Sequence, residues 1–113
     1  MEKHTRHFLD FHIAGFAYWD GIELIQQLKV GDSLDLVYED ENPFDPHAVA
    51  LYREGKKIGY VPQANNAQLF QLLYFGHDIF EATISQIDLE AHPERQLRAV
   101  VRLKDARTID RPL

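Results

Sequence analysis

The segment Glu41-Asn42-Pro43-Phe44-Asp45-Pro46-His47-Ala48-Val49 gathers more chemistry than any other stretch of the chain. Its two prolines fix φ on either side of Phe44 and Asp45, so the pair is displayed by a stiff loop. An aromatic ring beside a short carboxylate can stack on a base or sugar while the carboxylate accepts a hydrogen bond from a hydroxyl, a combination suited to the end of a nucleic-acid strand. The same residues also suit a structural turn, with Phe44 tucked into the core and Asp45 bonding nearby backbone N–H groups. Pattern alone leaves both readings open. Trp19, next to Tyr18 and ahead of Gly21, either widens a stacking platform, each stacked base being worth roughly 1–3 kcal/mol, or is a large residue of the core or its rim.

Other chemically capable residues form no recognised catalytic or metal-binding set. Cysteine is absent, which excludes thiol catalysis, disulfides and thiolate metal sites. The six histidines are scattered, with His4 and His7 near the terminus and His92 flanked by Glu90 and Glu94, so no metal is expected. No phosphate loop, nucleophile elbow, zinc-protease helix or glycine-rich dinucleotide turn is present. Asp10, Asp88 and Glu90 are carboxylates that could pair in space, and a hydrolase built on His47 and Asp45 would need those groups to converge in a cleft. The expectation is a protein without enzymatic activity and without a cofactor. The row Arg98, Arg102 and Lys104 either tracks phosphates or, as expected, guards an edge strand against aggregation. Lys56 and Lys57, with Arg53, read as solvated residues of a hairpin tip.

Short strands must position these residues. Leu9, Phe11 and Ile13 alternate with Asp10 and His12 over residues 7–16, the period of a half-buried strand. Ile22, Ile25 and Leu28 at three-residue spacing, after Asp20 as N-cap, predict a short helix over 20–28. Leu34, Leu36 and Tyr38 mark a second strand, and residues 48–52 and 57–61 predict a third and fourth, joined as a hairpin at Glu54-Gly55. Leu69, Leu72 and Leu73, with Phe70 and Tyr74 beside them, predict the main helix over 64–75, capped by Gly76. Strands over 79–87 and 96–104 complete the set, the last burying Leu97, Ala99, Val101 and Leu103. Many short strands with one long and one short helix predict a mainly β, α+β fold: a small, six-stranded, partly open barrel of the OB-like or SH3-like kind.

Length and composition fit one globular domain over residues 1–113, with its core at about 8–104 and short flexible termini. The chain has 113 residues, 45% hydrophobic and 27% charged, with seven Phe, five Tyr and one Trp. The N-terminus lacks the apolar run of a signal peptide or membrane anchor, so a cytoplasmic protein with no membrane partner is expected. A net charge of −6 opposes broad electrostatic capture of nucleic acid. That charge is uneven: Asp32, Asp35, Glu39, Asp40, Glu41 and Asp45 crowd one region, while Arg95, Arg98, Arg102, Lys104, Arg107 and Arg111 gather near the C-terminus.

Asn42-Pro43-Phe44-Asp45 with His47-Ala48-Val49, followed by Gly59-Tyr60-Val61-Pro62, resembles the central signature of HIRAN domains. Ala14-Gly15-Phe16-Ala17-Tyr18-Trp19-Asp20-Gly21 is similar to the family's opening strand and aromatic turn, and residues 64–73 to its helix, so the resemblance spans about 8–104. It implies a modified OB-like barrel that occurs alone or fused to helicase-type enzymes, and that grips the 3′ end of single-stranded DNA. By position, it implies that Tyr18 stacks near the strand end, Phe44 packs on the terminal nucleotide and Asp45 accepts its 3′-hydroxyl. Tyr60 stands where end-binding members carry His, Ala17 where they carry Arg and Gln63 where they carry Lys, so phosphate contacts are fewer. The implied partners are single-stranded or end-exposed DNA and a helicase or nuclease acting in repair or replication. The alternative is a protein-interaction or dimerisation module that has lost DNA binding, with the apolar surplus around Phe70, Tyr74 and Phe75 as its surface. Monomer and homodimer both remain open.

Overall fold

The computed structural model describes residues 4–16, 19–105 and 107. Its elements are β1 (Thr5–His12), α1 (Gly21–Leu24), β2 (Ser33–Glu39), β3 (Ala48–Arg53), β4 (Lys56–Tyr60), α2 (Ala67–Tyr74), β5 (Phe80–Ile87) and β6 (Leu97–Lys104), with single 3-10 turns at Gln63–Asn65 and Pro93–Arg95. The strands form one antiparallel sheet in the order β1-β6-β5-β2-β3-β4. Its two ends meet at one isolated bridge, where the Ala14 N–H donates to Tyr60 O at 2.9 Å and the Tyr60 N–H to Ala14 O at 2.8 Å. The sheet is thus curled into a partly open barrel, the six-stranded architecture the alternation predicts.

Period-two patterning decides which faces close on each other. In β6, Leu97, Ala99 and Val101 are buried while the residues between them are not. In β3, Ala48, Val49, Ala50 and Leu51 are all buried, because this strand is covered on both faces. Leu69 of α2 reaches the same core, which also takes Phe11, Ile13, Phe16 and Ile58. Glu54 and Gly55, at φ 50° and 84°, make the tight hairpin turn between β3 and β4. Gly59 is required where the sheet ends meet: a Cβ there would lie 2.6 Å from Ala14 O and 2.5 Å from Ile13 Cγ2.

Several expectations are corrected. The first helix spans only Gly21–Leu24, and the Asp20 side chain makes no capping bond. The main helix starts at Ala67 rather than residue 64, because Gln63–Asn65 forms a 3-10 turn behind Pro62. Gly76 does end it, at φ 85° with its N–H donating to Leu73 O at 3.0 Å. β6 is an interior strand between β1 and β5, so its cations guard no edge. Instead Arg98 pairs with Asp10 across the sheet, Arg102 Nε donates to Thr5 Oγ1 at 2.8 Å and Lys104 Nζ reaches Asp78 at 3.2 Å. Phe70 is buried, so it adds nothing to the surface apolar surplus, which consists of Tyr74 and Phe75.

Candidate nucleic-acid groove

The loop between β2 and β3 is shaped by its own side chains. Asn42 Oδ1 accepts the N–H groups of Phe44 at 2.8 Å and Asp45 at 3.0 Å, and Asn42 Nδ2 donates to Glu39 Oε1 at 3.0 Å. This turn, held between two prolines, points Phe44 away from the core, and it is 88% exposed. Of the two readings of the loop, the tucked-in ring is therefore wrong. The backbone bonding by Asp45 is right: Asp45 Oδ1 accepts the His47 N–H at 2.9 Å. Asp45 Oδ2 accepts Asn66 Nδ2 at 2.8 Å, which ties the loop to the start of α2. Each carboxylate oxygen retains capacity for a further hydrogen bond.

Facing the loop is an aromatic wall. Trp19, partly exposed, lies edge-on to Tyr60 with ring centroids 5.7 Å apart. Lys57 Nζ sits 4.3 Å from the Trp19 ring centroid and 4.9 Å from that of Tyr60. It donates to Glu39 Oε2 at 2.8 Å and to Tyr60 Oη at 3.0 Å, and Tyr60 Oη donates in turn to Glu39 Oε1 at 2.8 Å. Partial burial works to neutralise both Lys57 and Glu39. Their mutual bond, helped by Tyr60 and by Asn42 on Glu39, outweighs it, holding the lysine pKa above its ordinary value and the glutamate below. Burial raises the Tyr60 phenol further, keeping it a donor. The lysine expected as a solvated hairpin residue is thus an internal partner of this wall.

Six of the residues singled out from the sequence, Trp19, Asn42, Phe44, Asp45, Tyr60 and Gln63, line one groove of about 720 Å³. Tyr18 and Ala17 lie outside the described residues. Glu39, Asp40 and Glu41 also line the groove, and among the described residues no lysine or arginine does. Sequence reasoning missed Glu39, Lys57 and Asn66. The pairing of β3 with β4 slips between Leu51 and Tyr52, which brings Lys57 and Tyr60, three residues apart, to one side. Strict alternation would have separated them.

The other candidate chemistries are not assembled. The His47 ring packs against Phe70, with centroids 5.4 Å apart, and does not bond the Asp45 carboxylate. Asp10 pairs with His7 and Arg98, whereas Asp88 accepts the Glu90 N–H. His92 caps the Glu94 N–H. Among the described residues no cluster of His, Asp and Glu could hold a metal, and no helix is long and apolar enough to cross a membrane.

The family model described as HIRAN domain matches residues 7–104. A crystal structure of a protein from Lactobacillus plantarum superposes with a TM-score of 0.73 at 19% identity, covering 91% of this chain and 97% of the other. The HIRAN domain of human HLTF superposes with a TM-score of 0.64 at 14% identity, covering 88% and 78%. No curated protein matches.

Proposed function

This chain belongs to the HIRAN domain family, whose members are in general DNA-binding modules, and from that premise we propose that it is a non-catalytic module that takes the 3′ end of single-stranded DNA in the groove between Trp19 and Phe44. The observation that carries the reading is the exposed Phe44 ring fixed beside a carboxylate with spare acceptor capacity, in one groove with Trp19 and Tyr60. The terminal nucleotide packs on Phe44, its 3′-hydroxyl donates to Asp45, and Trp19 and Tyr60 receive the preceding base, a role the family resemblance extends to Tyr18. Gln63, on the groove wall, donates to a phosphate. A strand end left at a damaged or replicating site is the natural source of such a ligand, and a helicase or nuclease the natural partner to be delivered there.

Charge sets the character of this binding. Among the described residues no lysine or arginine lines the groove, so stacking carries the affinity, and salt weakens it less than in a basic relative. A 3′-phosphate would bring negative charge against Asp45, Glu41 and Asp40, so the groove selects a neutral hydroxyl end. A second reading rests on the same rim: its carboxylates also complement a lysine- or arginine-bearing protein segment, with no DNA bound.

Fluorescence anisotropy with labelled single-stranded DNA tests the choice, comparing a free 3′-hydroxyl with a 3′-phosphate and the wild type with Asp45→Ala. The expected result is preference for the hydroxyl end, lost in the variant. No binding even at about 50 mM salt, where phosphate contacts count most, would overturn end recognition in favour of the protein segment.

A further inference from the structure

The groove has two sides that differ in how they are held, and a single side chain connects them. On one side is the loop that presents Phe44 and Asp45, braced by Asn42. On the other is Trp19, whose neighbouring backbone is anchored by the Asp20 N–H donating to Lys57 O at 3.0 Å. Lys57 reaches both. Its ammonium lies against the Trp19 ring, and it bonds Glu39, which in turn bonds Asn42. Its side chain is only 17% exposed, so these contacts form in a partly desolvated setting where cation–π attraction and ion pairing are strongest.

Resting on the end-binding reading above, we propose that Lys57 is the positioning residue of the groove: it fixes Trp19 on one wall and, through Glu39 and Asn42, the Phe44-Asp45 loop on the other. It acts without being a phosphate ligand, since two of its three N–H donors are already committed to Glu39 and Tyr60. Its charge has a second effect. Glu39 faces a groove already carrying Asp40, Glu41 and Asp45, and Lys57 neutralises it from behind, lowering the negative potential a nucleic-acid end must enter. Arg53 offers no substitute, because it is engaged with Asp32 at 3.1 Å.

The chain contains a single tryptophan, so intrinsic fluorescence reports this wall without any ligand. Three variants separate the effects: Lys57→Met, which keeps length and removes charge; Lys57→Arg, which keeps charge; and Glu39→Gln combined with Lys57→Met, which restores neutrality without the cation. Melting curves establish that each is folded. In the DNA-free protein, Lys57→Met and the double variant are expected to change the Trp19 emission maximum, while Lys57→Arg leaves it near the wild-type position. Affinity for single-stranded DNA with a 3′-hydroxyl is expected to fall about three- to tenfold in Lys57→Met, the cost of re-ordering a large side chain on binding. The double variant should recover part of that loss and Lys57→Arg most of it. Unchanged emission in folded Lys57→Met would overturn the proposal, as would changed emission with unchanged affinity. If the wild type binds no DNA, the end-binding reading fails by itself, and the emission comparison still decides whether Lys57 positions Trp19.

Discussion

Two groups of aromatic rings, one where α2 meets Tyr38 of β2 and one at the groove, are held by different physics. At α2, Tyr38 meets Phe70 at 5.8 Å and Tyr74 at 5.5 Å, and Phe70 stacks on Tyr74 at 5.7 Å with an interplanar angle of 15°. These rings touch one another, and α2 contributes no charged residue to them. On the groove side, Trp19 and Tyr60 meet edge-on and are set by Lys57 and Glu39, and among the described residues Phe44 touches no other ring. Phe70, ringed by Tyr38, Tyr74 and His47, is buried and serves the fold, while Tyr38 and Tyr74 keep part of their surface exposed. Trp19, held by the Lys57 ammonium over its ring and by the edge of Tyr60, stays 41% exposed beside the groove. The difference teaches that aromatic content alone does not mark a binding surface; the identity of the group that restrains each ring does.

The comparison is broken most forcefully from the α2 side. Leu69→Ala removes a fully buried side chain beneath α2 and is expected to cost about 2–5 kcal/mol of stability, read by urea denaturation. DNA affinity of the fraction that remains folded should stay at the wild-type level, since no groove contact is touched. A stability loss under about 1 kcal/mol would mean that α2 does not seal the core through Leu69.

Phe44→Ala is the converse. With its ring 88% exposed, stability should stay within about 0.5 kcal/mol, while affinity for a 3′-hydroxyl strand should fall by roughly 1–3 kcal/mol in a titration. Equal loss in stability and affinity would erase the distinction between the two groups.

Acid provides the smallest perturbation. The folded pKa of Glu39 is depressed below its reference value of 4.5, so its contribution is complete above that value and lost as pH falls through the lower, folded one. Trp19 emission should therefore be flat above pH 4.5, the reference value of the carboxyl, and change only below it, before or with global unfolding. A change centred near neutrality would point to a histidine and contradict the Lys57–Glu39 arrangement.

Much of this arrangement was legible residue by residue. The alternation in residues 97–103, the Glu54-Gly55 turn and the Gly76 cap are local signals, set by side-chain period and by the φ values glycine permits, and each is found where expected. The loop from Glu41 to Val49 announced itself by its prolines and its Asn. The resemblance carried by Asn42-Pro43-Phe44-Asp45 and Gly59-Tyr60-Val61-Pro62 picked out residues that share one groove. Helix ends were less legible: Asp20 sits before α1 without a side-chain capping bond, and the 63–65 segment forms a 3-10 turn instead of the first turn of α2.

By itself, the sequence determined which residues alternate, where the chain turns, and that cysteine chemistry is excluded; these depend on neighbours a few positions away. Only the tertiary structure decided the partners. Arg98 and Arg102 became cross-strand ties because β1 closes on β6. Lys57 became part of an aromatic wall because the β3–β4 register slips by one residue and brings it beside Tyr60, Glu39 and Trp19. Whether a surface-type residue meets water or a partner depends on strand order and register, which long-range pairing fixes and no local pattern encodes.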